Sequence, residues 1–98
     1  MYIKRGEVKE IGIEVINQLG ETFIIEAAEY QITKKEGTEI EKGIPSIEDH
    51  KLTALFSATQ KGEFYMIFKY HIATEILKAK VFVEVIEWHI LEQIGKME

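Results

Sequence analysis

The sequence contains no cysteine and a single proline, Pro45, in 98 residues. Without thiols there is no disulfide, no thiolate zinc site, no iron–sulfur cluster and no cysteine nucleophile. It also lacks an apolar run of the roughly 18 residues that a membrane-spanning helix requires, so no membrane partner is expected. The first ten residues, MYIKRGEVKE, hold no apolar stretch of signal-peptide type, and the expected location is cytoplasmic. A basic surface is missing as well. Seventeen Asp plus Glu stand against 12 Lys plus Arg, a formal charge of −5. Nucleic acid is therefore not an expected partner, because phosphate binding needs a positive face. Lys4-Arg5, Lys34-Lys35 and Lys78-Ala79-Lys80 are short clusters among glutamates and read as solvated surface charge. Glycines occur singly, so no glycine-rich phosphate loop can be drawn.

What is present describes one globular domain: 46% hydrophobic and 30% charged residues, in a chain too short to divide. Asp49 is the only aspartate among the acids, and Asn17 is the only asparagine. The cations are almost all Lys, and Ile is abundant. Enrichment in Glu and Lys with few thermolabile residues is thermophile-like. An AT-rich genome favours Lys and Ile in the same way.

Between the glycines lie short segments rich in β-branched and aromatic residues, the spacing of an all-β sandwich or barrel. Ile11, Ile13 and Val15 alternate with Gly12 and Glu14, the period of a half-buried strand. Ala28, Tyr30 and Ile32 alternate with Glu29 and Gln31. Lys35-Glu36-Gly37-Thr38 reads as a hairpin turn, and Gly43-Ile44-Pro45 ends the returning strand. Phe64, Met66, Phe68, Tyr70 and Ile72 share one face of a strand whose other face begins with Tyr65 and Ile67. Such a strand belongs in the middle of a sheet. After a turn at 73–75, Ala79, Val81, Val83 and Val85 form the clearest alternation in the chain.

Two segments read both ways. Residues 46–60 suit a helix, with Ser46 as N-cap and Asp49 three positions on. They equally suit a strand with Leu52, Ala54, Phe56 and Ala58 inward. Near the C-terminus, Ile86, Ile90, Leu91 and Ile94 have helical spacing and Gly95 is a C-cap candidate. That segment is expected to be a short helix or a loosely held tail.

The parts AEYQITKKEGTEIEKG (28–43), SIEDHKLTALFSAT (46–59), KGEFYMIFKYHIATE (61–75) and ILKAKVFVEV (76–85) stand in a recognisable order. In order and spacing they resemble the small immunoglobulin-like β-sandwich proteins encoded among bacteriophage and prophage head and tail genes. The resemblance implies strand for 46–60. It implies an immunoglobulin-like antiparallel β-sandwich of about seven strands over residues 1–87, followed by a helix or tail at 88–98. It further implies a structural or assembly protein acting by protein–protein contact, through self-association or with phage structural proteins, in the cytoplasm or in a virion. A ligand-binding module, for carbohydrate or surface adhesion, is the alternative.

No enzymatic constellation is legible. Ser46 and Ser57 lack a glycine elbow. His50, His71 and His89 are dispersed, and His89 with Glu92 supplies two ligands where a metal site needs three or four. Glu39 with Glu41, and Glu14 with Glu84, read as solvent-facing carboxylates outside any cleft. Most aromatics lie on strand faces and read as core. Trp88 differs, since it stands after the last strand at the head of an apolar tail. Trp88, Ile90, Leu91 and Ile94 are the candidate contact residues, docking on their own sandwich or on a neighbour. No catalytic, cofactor or metal residue is assigned. Chelator treatment is accordingly expected to leave the melting temperature unchanged; a fall of several degrees reversed by zinc or calcium contradicts this.

Overall fold

The computed structural model describes residues 1–16 and 20–87. Among them are eight strands and no helix. The strands are β1 (Tyr2–Lys4), β2 (Val8–Glu14), β3 (Ile25–Lys34), β4 (Glu39–Gly43), β5 (Ser46–Glu48), β6 (Lys51–Ser57), β7 (Gly62–Ile72) and β8 (Glu75–Ile86). They form a β-sandwich of two sheets, one in the order β1-β8-β7-β3-β4 and the other β2-β6-β5. Pairing is antiparallel except between β1 and β8, which run parallel.

The chain changes sheet four times, between β1 and β2, β2 and β3, β4 and β5, and β6 and β7, and two of these links are very short. Only Arg5-Gly6-Glu7 separates β1 from β2, and only Ile44-Pro45 separates β4 from β5. The first corner is tied by backbone bonds from Arg5 to Ile86 and between Gly6, Glu7 and Ala58. These short links pin the margins of the two sheets together, as expected where strands pass from one layer to the next.

β7 is the middle strand of the larger sheet, between β8 and β3. Its alternation is the reason: Phe64, Met66 and Phe68 point inward and are buried. Val83 and Val85 of β8, Ile32 of β3 and Ile3 of β1 complete that layer, while Ile11, Leu52, Phe56 and Ala58 form the facing one. Phe56 meets Phe64 edge to face, 5.9 Å between centroids. Each such side chain contributes on the order of 1.5–3 kcal/mol by leaving water.

Residues 46–60 hold the two strands β5 and β6 and no helix, with Leu52, Phe56 and the following Ala58 buried. Asp49 and His50, which sequence alone assigns to a helix or to neighbouring strand positions, are the two loop residues of the β5–β6 hairpin. Gly37, at φ 108°, supplies the left-handed residue of the β3–β4 turn. The helix or tail expected at 88–98 falls outside the described residues.

The other two hairpin loops, each of two residues, place a non-glycine residue at positive φ: Asp49 at 54° and Ala73 at 53°. Asp tolerates this region, whereas Ala gains nothing to offset the clash of its Cβ. Ala73→Gly is therefore expected to raise stability by about 0.5–1 kcal/mol in denaturant melts; a loss contradicts the turn geometry. Phe68→Ala should cost about 3–5 kcal/mol through lost burial and a cavity, and a cost below about 0.5 kcal/mol would mean the strand faces are reversed.

Candidate functional site

Whatever points away from the smaller sheet forms the outer face of the larger one. Register sets its neighbours: Tyr65 lies opposite Phe82, Ile67 opposite Lys80, Lys69 opposite Lys78 and His71 opposite Ile76. On the β1 side Tyr2 lies opposite Glu84. The Tyr65 and Phe82 rings meet edge to face, 5.6 Å between centroids at 62°. Lys80 Nζ sits 5.5 Å from the centre of the Tyr65 ring, within cation–π range. Tyr2 is 68% exposed, Ile76 58% and Phe82 38%. Tyr2, Tyr65, Ile67 and Phe82 form an aromatic and aliphatic patch in a charged frame, with Ile76 apart on the same face beyond Lys78 and Lys80, and no second layer covers them among the described residues.

The frame is built of cross-strand charge. Glu63 and Glu84 face each other directly, a repulsive pair. Lys35 relieves it by pairing with Glu63 at 2.8 Å, and this hydrogen bond holds the Lys35 ammonium above its usual value. Lys69 and Lys78 also face each other, and Lys69 turns to Glu29 at 3.5 Å. Glu39 accepts a hydrogen bond from Gln31 at 2.7 Å.

The two carboxylate pairs suggested by the sequence are not brought together. A bulge between Ile32 and Thr33 shifts β4, so Glu41 lies opposite Ile32 while Glu39 lies opposite Thr33. Glu41 instead accepts the Tyr30 hydroxyl at 2.9 Å. That hydrogen bond first, then burial and the charge of Glu41, raise the Tyr30 phenol above its ordinary value. The Tyr30 ring lies so close to Gly43 that a Cβ there would meet it at 2.9 Å. Glu14 and Glu84 sit on different sheets.

His50 stacks on Phe23, 3.9 Å between ring centroids, with Nε2 3.1 Å from the Phe23 carbonyl oxygen. His71 is on the outer face, opposite Ala27 and Ile76. Among the described residues no three His, Cys, Asp or Glu converge as metal ligands. A cavity of about 580 Å³ at the β7–β8 tip is lined by Phe23, Ile24 and Ile72 with Glu21, Glu26 and Glu75.

The candidate contact residues Trp88, Ile90, Leu91 and Ile94, together with His89, lie outside the described residues. The outer-face aromatics were not singled out by sequence, which reads strand-face aromatics as core. Their signal was the alternation itself, since Tyr65 and Phe82 occupy the phase opposite to Phe64 and Val83. No family model matches the chain, and no curated protein or solved structure is similar to it.

The Tyr30–Glu41 bond carries a pH signature. A phenol that holds its proton more tightly when folded stabilises the fold below the unfolded value of about 10, and loses that contribution as pH climbs through the folded value. Tyr30→Phe is expected to lower the melting temperature slightly at neutral pH, with the gap to the parent protein closing above about pH 10. Lys35 titrates in both proteins and cancels in the difference. A gap constant up to alkaline pH contradicts the assignment.

Proposed function

We propose that the protein is a non-enzymatic structural or assembly module of phage or prophage origin, working by protein–protein contact through the outer face of its larger sheet. The observation that carries this reading is that Tyr2, Tyr65, Ile67, Ile76 and Phe82 share one face, with Tyr2, Ile76 and Phe82 well exposed. Aromatic side chains gathered in a charged rim are the composition of a protein contact. The phage assignment rests on the resemblance in residues 28–85. The immunoglobulin-like assignment is supported by strand order: β2-β6-β5 and β8-β7-β3 correspond to the B-E-D and G-F-C arrangements of that fold. The cytoplasm or a virion is the matching location.

Exposed aromatics on one sheet also favour a second reading, carbohydrate binding. Sugar rings stack on flat platforms, however, and Tyr65 and Phe82 stand at 62° to each other. Protein contact fits that relief better.

Co-expression with the products of the neighbouring genes tests the proposal. A stoichiometric complex is expected on sedimentation, lost in Tyr2→Glu/Phe82→Glu while that variant keeps its melting temperature within a few degrees. No complex with any neighbour, or one indifferent to the double variant, would overturn it.

A further inference from the structure

The larger sheet has an open margin along β8. β1 pairs only with Glu84–Ile86, whereas β8 begins at Glu75. Backbone bonds on that margin run from Glu84 N to Met1 O, from the Met1 amine to Phe82 O and from Arg5 N to Ile86 O. Even-numbered residues therefore turn their N–H and C=O outward, away from β7. The β7–β8 register is unbroken from Gly62–Val85 to Ile72–Glu75, so the same phase continues through Lys80, Lys78 and Ile76. Among the described residues those outward groups meet no strand.

The side chains along this margin are sorted by face. Lys78 and Lys80 project outward and are exposed, and neither meets a carboxylate at ion-pair distance among the described residues. Lys69 stands opposite Lys78, so three ammonium groups gather on a chain whose net charge is −5. On the inward side Leu77, Ala79 and Val81 are only half covered. Lysines on an edge discourage two copies from pairing there, because a second β8 would bring like charges together. The same lysines attract a strand of opposite sign.

We infer that the β8 edge, from Ile76 to Phe82, is a strand-addition site for an acidic extended segment of a partner protein. Its carboxylates, at alternate positions, face Lys78 and Lys80, and its intervening aliphatic residues cover Leu77, Ala79 and Val81. The partner's backbone supplies the missing ladder. This rests on the protein-contact reading above and names the chemistry of the partner. The other edges are less suited. β4 is bulged, β5 has three residues, and β2 carries Glu10 and Glu14, which would repel an acidic strand.

The probe is a capped, fluorescein-labelled ten-residue peptide alternating glutamate with valine and isoleucine, with a lysine-for-glutamate counterpart as control. Fluorescence anisotropy with the full chain should saturate for the acidic peptide and not for its counterpart. Lys78→Glu/Lys80→Glu should bind about tenfold more weakly or worse, as expected for two exposed pairs turned repulsive. If that variant does not fold, a nitroxide-labelled acidic peptide on the unaltered protein decides. Broadening of the amide signals of residues 76–82, with those of β4 spared, supports the site. Equal binding of both peptides, broadening centred elsewhere, no binding, or a mass doubling independent of peptide overturns the inference. If the edge stays idle while the Tyr2/Phe82-dependent complex still forms, the edge inference alone fails and the contact reading stands.

Discussion

The contact between the inner face of β7 and the smaller sheet is the interaction on which everything else depends. With no disulfide and no metal cluster among the described residues, two layers of side chains must hold the domain. Phe64, Met66 and Phe68 from β7 meet Leu52 and Phe56 from β6, all at most 3% exposed. Because β7 sits between β8 and β3, its burial fixes the faces of both neighbours through the ladder. A one-residue slip would send Phe68 outward and Ile67 inward, and the same inversion would pass to every strand paired with it.

That constraint also creates the candidate surface. A two-layer sandwich buries one face of each sheet and leaves the other to water or to a partner. On the smaller sheet the outer positions hold Glu10, Gly12, Glu14, Lys51, Thr53 and Ser57, with Val8 and Leu55 the exposed apolar exceptions and no aromatic ring. On the larger sheet they hold Tyr2, Tyr65, Ile67, Ile76 and Phe82 among lysines and glutamates. The two outer faces thus differ in their aromatic side chains, which only the larger sheet gathers.

Most strand faces were legible from alternation, because period two survives wherever one face is buried. Val81, Val83 and Val85 opposite Phe64 and Met66 needed no other clue. Residues 46–60 read as helix or strand because Ser46 and Asp49 serve both as a capping pattern and as turn chemistry. Asp49 is in fact the left-handed residue of a tight hairpin. β1 left no local signal at all. It is three residues long, and its partner in β8 lies some eighty positions away in sequence. The outer-face surface was not singled out for a related reason. Sequence shows that Tyr65 and Phe82 lie out of phase with the core, but only register shows that they meet each other, with Lys80 over one ring. Trp88, Ile90, Leu91 and Ile94, the residues that sequence favoured, lie outside the described residues.

Residue-resolved amide hydrogen exchange of the free protein addresses the central claim most directly, since it reads the core ladder and the open margin together. The β7 amides bonded to β3 and β8 should exchange only through global unfolding. The amides of Lys78 and Lys80, turned outward on the same well-packed strand, should exchange rapidly, while those of Ala79 and Val81 are protected. Equal, strong protection along the whole of β8 in the free protein would contradict the account, because it would mean that the edge is already paired.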